Sequence, residues 1–267
     1  MEDKKPENTS RFSAEGTEGL LIRPIARIRS DLPEKFGIPR QSGLVPSLVS
    51  RVVFEPGYAD PSAVRGLEDF SHIWLIWEFT EAKRKGKTAR EAKPGEKKEQ
   101  LPAAAAGTWT PTVRPPRLGG NERMGVFATR SPFRPNPLGL SCVELRKIEY
   151  DTEEGPVLIV GGADLMDRTP IYDIKPYLPY ADCVREARSG FTACVERKLL
   201  HVEFPETLRG RLPSEKLHAA IGILEQDPRP AYQHDPERIY GVAFAGTDIR
   251  FRVEGELLTV VDVLRKD

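Results

Sequence analysis

The stretch GLSCVELRKIEYDTEEGPVLIVGGADL (139–165) holds two runs rich in β-branched and apolar residues on either side of a polar turn that ends in glycine. It reads as strand, turn, strand. Gly161-Gly162 behind a strand is where a dinucleotide-binding turn would begin, but no G-x-G-x-x-G is present. Pro170 and Pro176 also oppose the helix that such a turn must open. The mechanism of a Rossmann site is therefore excluded, and the P-loop pattern is absent too. Working outward, LLIRPIARI (20–28), LVSRVVFE (48–55), HIWLIWEFT (72–80) and RMGVFATR (123–130) have the same strand texture. With 24 prolines and 22 glycines punctuating the chain, these six runs are expected to close a β-barrel. One short helix is expected at Pro61 to Phe70, with Asp60 as its N-cap.

The texture changes after Asp182. SEKLHAAIGILEQ (214–226) opens with a serine cap and places Leu217, Ala220, Ile221 and Leu224 on one helical face. IYGVAFA (239–245), DIRFRVEG (248–255) and ELLTVVDVL (256–264) read as three antiparallel strands with tight turns at Gly246-Thr247 and Gly255. The expected class is mainly β: an N-terminal β-barrel domain over 20–185 and a small C-terminal α+β domain over 190–267, behind a disordered tail at 1–19. A charged insertion at 83–107 interrupts the barrel, and its segment 83–100 carries eight Lys/Arg against three Glu.

Composition narrows the function. In 267 residues, forty Lys/Arg balance forty Asp/Glu, so no global field advertises a polyanionic partner and any nucleic-acid footprint is local. Cys142, Cys183 and Cys194 are widely spaced and odd in number, which argues for a reducing, cytoplasmic setting. No stretch approaches the roughly 18 apolar residues of a membrane span. His72, His201, His218 and His234 lack metal-ligand spacing, so no metal is expected, and His72 reads as structural. No G-x-S-x-G elbow occurs.

Three stretches carry candidate chemistry. RPPRLGGNERMGVFATRSPFRPNPLGLS (114–141) repeats arginine, proline and glycine, a combination suited to an anion site because rigid loops present planar guanidinium forks. GGADLMDRTPIYDIKPYLPYADCV (161–184) brings Asp164, Asp167, Asp173, Lys175 and Asp182 behind a strand. Their carboxylates suit ribose hydroxyls, an ammonium or a proton, with Asx-turns and surface ion pairs as the competing reading. FGIPRQSGLVPS (36–47) displays Arg40 and Gln41 in a loop, and QDPRPAYQHD (226–235) offers Arg229 and Tyr232 for RNA stacking or a helix stop.

PRQSGLV (39–45), AVRGLEDFSHIWLIWEF (63–79), TPTVRPPRLGGNERMGVFATRSPFRPNPLGLSCVEL (110–145), DLMDRTPIYDIKPYLPYAD (164–182) and QDPRPAY (226–232) together resemble the TrmO family. The resemblance spans 20 to 265 apart from the insertion. It implies an S-adenosyl-L-methionine-dependent methyltransferase acting on N6 of threonylcarbamoyladenosine at position 37 of tRNA, with the cofactor on a non-Rossmann barrel and a homodimer completing the site. By motif, Pro39, Arg40 and Gln41 match the first cofactor loop, Arg130 the arginine of the ATR-S motif, Leu140 a pocket-lining position, and Gly161, Gly162, Ala163 and Asp164 the segment that touches cofactor. Thr80 and Glu81 stand where relatives often carry His-Gln, and the insertion departs from shorter relatives.

The same resemblance makes the tRNA anticodon loop the partner, with Arg117, Arg134, Arg229 and Tyr232 as substrate contacts. Asp164 and Asp173 are candidate bases, and Lys175 is a counter-charge for the threonyl carboxylate. Arg130 and Asp164 are expected to serve one pocket from different protomers, with the proline-rich 170–180 segment as a stiff wall. The rival readings are a non-catalytic adenosine-ligand or RNA-binding adaptor, and a methyltransferase for another substrate.

Overall fold

The computed structural model describes residues 20–80, 110–115, 122–194, 198–229, 233 and 235–266. Expectations for 1–19, the insertion at 83–107, Glu81, Arg117, Tyr232 and His234 lie outside them. Strands β1 (Ala26–Arg29), β2 (Val49–Phe54) and β3 (His72–Glu78) are followed by a small ribbon of β4 (Thr112–Val113) and β5 (Met124–Gly125). Then come β6 (Leu138–Glu149), β7 (Val157–Gly161) and β8 (Pro170–Pro176). Six of these close a barrel in the order β1-β2-β7-β6-β3-β8, with every neighbouring pair antiparallel.

Alternation along each strand fills the barrel. Ala26 and Ile28, Val52 and Phe54, Ile73, Leu75 and Trp77, Val143 and Leu145, Leu158 and Val160, and Ile171 form one buried cluster. Trp77 is the largest of these residues and lies across its partner strand. It pairs with Gly139, where a Cβ would stand 2.5 Å from the indole Cζ2. Glycine at 139 is thus the space in which the indole lies.

The barrel has the expected number of staves but not the expected members. RMGVFATR supplies only the two residues of β5 before a 3-10 turn at Val126–Ala128, which the Thr129 hydroxyl closes by donating to Val126 O at 2.8 Å. Beyond it, Pro132, Pro135 and Pro137 have no N–H to give a ladder. The sixth stave is β8, whose prolines stand at its first and last positions, where a missing N–H is tolerated. The 170–180 segment is therefore largely a barrel wall. Of LLIRPIARI only Ala26 onward is strand, and Pro61 to Phe70 forms two 3-10 turns instead of a helix, with the Asp60 carboxylate accepting from Ser62 N–H at 2.8 Å.

In the C-terminal part, α1 (Pro179–Asp182) and α2 (Glu206–Arg209) are single turns, and α3 (Ser214–Glu225) is the expected helix. Pro213, not Ser214, occupies its cap position. Strands β10 (Tyr240–Phe244), β11 (Thr247–Glu254) and β12 (Leu257–Arg265) are antiparallel, and β9 (His201–Glu203) adds a parallel edge against β12. The sheet and α3 bury a second core that also takes in Leu32, Val45 and Leu48 from the β1–β2 connection. Among the described residues no helix is long and apolar enough to cross a membrane.

Gly139→Ala forces the added carbon into the indole, and overpacking of this kind costs about 2 kcal/mol. Urea unfolding should show that loss. A change below about 0.5 kcal/mol, the ordinary range for neutral surface substitutions, would mean that Trp77 moves aside freely.

Candidate functional site

Six antiparallel staves alternate in direction, so β1, β3 and β7 finish at one end of the barrel, where β2, β6 and β8 begin. The connections at that end are 30–48, 79–137 and 162–169. Each takes in part of one of the three motif stretches, with Gln41 in the first, Thr80 and Arg130 in the second, and Gly162 and Asp164 in the third. Residues far apart in sequence are gathered by strand parity alone.

Asp164 is where they meet. Ala163 and Leu165 are buried beside it, and between them the Asp164 carboxylate accepts from the Ser141 hydroxyl at 2.6 Å. Ser141 Oγ in turn accepts from Trp77 Nε1–H at 2.9 Å, so the hydroxyl proton is committed toward the carboxylate. Burial pushes the Asp164 carboxyl above its ordinary value, opposed by the hydrogen bond from Ser141, the charge of Arg130 and the backbone N–H of Ser42. Contributions to this one group thus come from the 30–48 loop, the 79–137 connection, β6 and β3.

The two shorter loops touch backbone to backbone. Gly43 N–H donates to Gly162 O at 2.9 Å and Gly162 N–H to Leu48 O at 2.8 Å. Gly162 has φ 71°, and a Cβ there would stand 3.2 Å from Gly43 Cα. A side chain at 162 is opposed by both conformation and space. Arg146 braces the loop from below, donating from Nη2 to Pro46 O at 2.7 Å. Arg130 Nη1 donates to Gln41 Oε1, which joins the arginine loop to the first loop within one chain. Arg134 donates to Thr129 O at 3.1 Å and ties off its own loop.

Other expected residues fall elsewhere. Pro39 is buried, and Arg40 is exposed next to Gln41. Leu140 projects from the outer barrel face and is 54% exposed, opposite Ile76, which in turn pairs with Asp173. Asp173 and Lys175 form an ion pair of 2.9 Å on the outer face of β8, so they share neither loop nor face with Asp164. Arg229 is not displayed as expected: it is 9% exposed and its guanidinium grips Asp227 at 2.8 and 3.0 Å. Within one chain Arg130 bonds Gln41 and its charge bears on Asp164, whereas the two were expected to serve one pocket from different protomers.

Ser141 and Trp77 were not singled out by sequence reasoning. The available signal was an inward strand position occupied by serine in an otherwise apolar register. Glu78, 7% exposed, was missed as well. It accepts from the Tyr172 hydroxyl, and burial together with that carboxylate pushes the phenol up to about 12. An open groove of about 560 Å³ lies at the opposite barrel end, lined by Phe54, Tyr58, Asp60, Arg65 and Phe70 among others. None of the residues expected to bind cofactor lines it, so its volume is no guide to the chemistry.

A barrel whose loop end assembles a buried carboxylate, a glutamine and an arginine, with no glycine-rich phosphate turn, defines a loop-lined ligand barrel. The tRNA-methyltransferase O N-terminal domain matches residues 27–183 and the TrmO C-terminal domain matches 197–266. The chain belongs to the tRNA-methyltransferase O family. It is 41% identical over 244 residues to the tRNA (adenine(37)-N6)-methyltransferase of Escherichia coli K12, covering 86% of this chain and 91% of that protein. A Pseudomonas aeruginosa protein, named as an S-adenosylmethionine-dependent methyltransferase, is 38% identical over 92% of this chain and 98% of its own length. A crystal structure of TrmO from P. aeruginosa superposes with a TM-score of 0.70 at 32% identity, covering 96% of this chain and all of that one.

S-adenosylmethionine is the cofactor of this enzyme family, and the donor set suits it. The Asp164 carboxylate, with about four lone-pair sites, keeps acceptor capacity beyond the bonds from Ser141 and Ser42, suited to ribose hydroxyls or an ammonium, and Gln41 lies on the Arg130 guanidinium.

Because burial places the folded-state Asp164 value above the unfolded one, its ionised form costs stability at neutral pH. That cost disappears as pH falls through the folded value toward the unfolded one near 4. Asp164→Asn should therefore be at least as stable as the wild type at neutral pH while binding cofactor more weakly, and its advantage should shrink on acidification. Urea unfolding at neutral and acidic pH checks the sign, and an advantage that grows toward acid would contradict it.

Proposed function

We propose that this chain methylates N6 of threonylcarbamoyladenosine at position 37 in the tRNA anticodon loop, acts as a homodimer and works in the cytoplasm. The observation that carries the reading is the convergence of three motif loops on the Asp164 carboxylate at one barrel end. The named activity of the E. coli relative supports the tRNA position and the nitrogen.

The target nitrogen is conjugated to both purine and carbamoyl, so it is a weak nucleophile until its proton leaves. When bound, S-adenosylmethionine supplies a methyl group activated on sulfonium. What this chain contributes is alignment. Asp164, Gln41 and the 161–163 backbone hold the donor, and Arg130 fixes Gln41 while balancing the Asp164 charge. The target nitrogen would accept that methyl group and give up its N6 proton to solvent or a base. Fixed geometry contributes several kcal/mol to such a transfer, so positioning outweighs a strong base. The target base has to leave its stack to reach the site. Arg134, near the mouth, suits the threonyl carboxylate, whereas Lys175 is already paired with Asp173.

Exposed Leu138 and Leu140 beside the loop end, with Tyr180 and Val184 farther along the chain, support a covering second copy. A wall over Leu140 would also exclude water from the methyl donor.

Incubation with labelled S-adenosylmethionine and tRNA with or without threonylcarbamoyl, followed by nucleoside mass spectrometry, should show one added methyl only on the threonylcarbamoylated nucleoside. Label on unmodified adenosine would redirect the substrate, and no transfer to either would favour the adaptor reading. In calorimetry, Arg130→Ala should weaken cofactor binding about tenfold, the usual scale for one charge-assisted contact. Wild-type affinity would remove Arg130 from the site.

A further inference from the structure

The β1–β2 connection has two sides. Its Ser42 and Gly43 reach Asp164 and Gly162 in the barrel, while Leu32, Val45 and Leu48 are buried in the C-terminal core, with Phe36 and Ile38 packed against it. The remaining contacts are specific. Asp31 forms an ion pair with Lys216 of α3 at 2.5 Å, and its carbonyl accepts from Ala245 N–H at 3.0 Å. A Cβ on Gly37, which has φ 94°, would stand 2.7 Å from Val242 Cγ1 in β10. One on Gly222, in the middle of α3, would stand 2.8 Å from Val45 Cγ1.

Glycine in a helix interior is costly for the helix, so its presence at 222 needs a local reason, and the close approach of Val45 is one. We infer that Gly222, Val45 and the Asp31–Lys216 pair are positioning residues for the cofactor: the C-terminal domain acts as the outer mould that sets where Gln41 and Ser42 sit. This rests on the reading that the 39–43 loop holds cofactor. The barrel supplies only one wall of that loop, through Gly162 and Arg146, and α3 with β10 supplies the other. A domain that served only to grip tRNA would have no need to share its core with this loop.

Gly222→Ala tests the idea, since alanine favours the helix yet pushes Val45 outward. Displacing a positioning loop by less than 1 Å can cost about tenfold or more. The expected result is a Kd and KM for S-adenosylmethionine about tenfold higher, with KM for tRNA unchanged. Val45→Ala combined with Gly222→Ala restores the room and should recover most of the cofactor affinity. Lys216→Met, which keeps the aliphatic stem, should move cofactor affinity in the same direction and stands in if Gly222→Ala fails to fold. Gln41→Ala serves as the control. If it weakens cofactor binding while Gly222→Ala and Lys216→Met both bind as the wild type does, the mould is wrong and the loop assignment stands. If Gln41→Ala binds normally, the loop is not the cofactor loop and the inference falls with it. A double variant as weak as Gly222→Ala alone, or a raised KM for tRNA in place of cofactor, also overturns it.

Discussion

A carboxylate withdrawn from water at the mouth of an apolar barrel is unstable unless hydrogen bonds and charge replace the water, and Asp164 meets this condition with contributions from several connections. Ser141 gives it a proton whose direction Trp77 fixes. Trp77 can lie where it does because position 139 is glycine. Ser42 offers a backbone N–H because Gly43 and Gly162 let the two loops close to hydrogen-bonding distance, and Arg130 adds its charge from the 79–137 connection. Loss of any of these leaves the carboxylate less compensated. The unfavourable burial of one side chain is therefore what ties the loop end together.

That arrangement also separates what the barrel does from what the loops do. The core of Ile28, Val52, Leu75, Val143, Leu158 and Ile171 needs only apolar side chains of suitable volume, and it would serve any six-stranded barrel. Specific function enters through strand direction, which sends 30–48, 79–137 and 162–169 to the same end. Asp173 and Lys175 belong to the same motif stretch as Asp164, yet they sit in a stave and face outward. Proximity in sequence proved a poor guide to proximity in the site.

How much of this was legible follows from the range of the signals. Runs such as 139–150, 156–165 and 214–226 read correctly because their pattern is local. RMGVFATR failed because three prolines just beyond it deny the ladder, and β8 was passed over because prolines at its ends look like a loop when the neighbouring strands are unknown. β9, at three residues, is too short to carry a pattern and exists because β12 offers an edge. The motif loops were legible from unusual composition. Ser141 and Trp77 were not, since their roles depend on the register that sets Trp77 opposite Gly139. Arg229 looked exposed in a loop, but Asp227 two residues earlier claims its guanidinium.

Two places compete for a small ligand on this chain: the loop end around Asp164, and the open groove beneath the 57–70 turns at the opposite end. Chemistry favours the first. Hydrogen–deuterium exchange with and without S-adenosylmethionine distinguishes them directly, because a bound ligand slows the opening of the backbone it contacts. The account predicts protection concentrated in 39–48, 129–137 and 161–165, with 57–70 unchanged. Protection centred on 57–70, with the three loops exchanging as in the free protein, would contradict it.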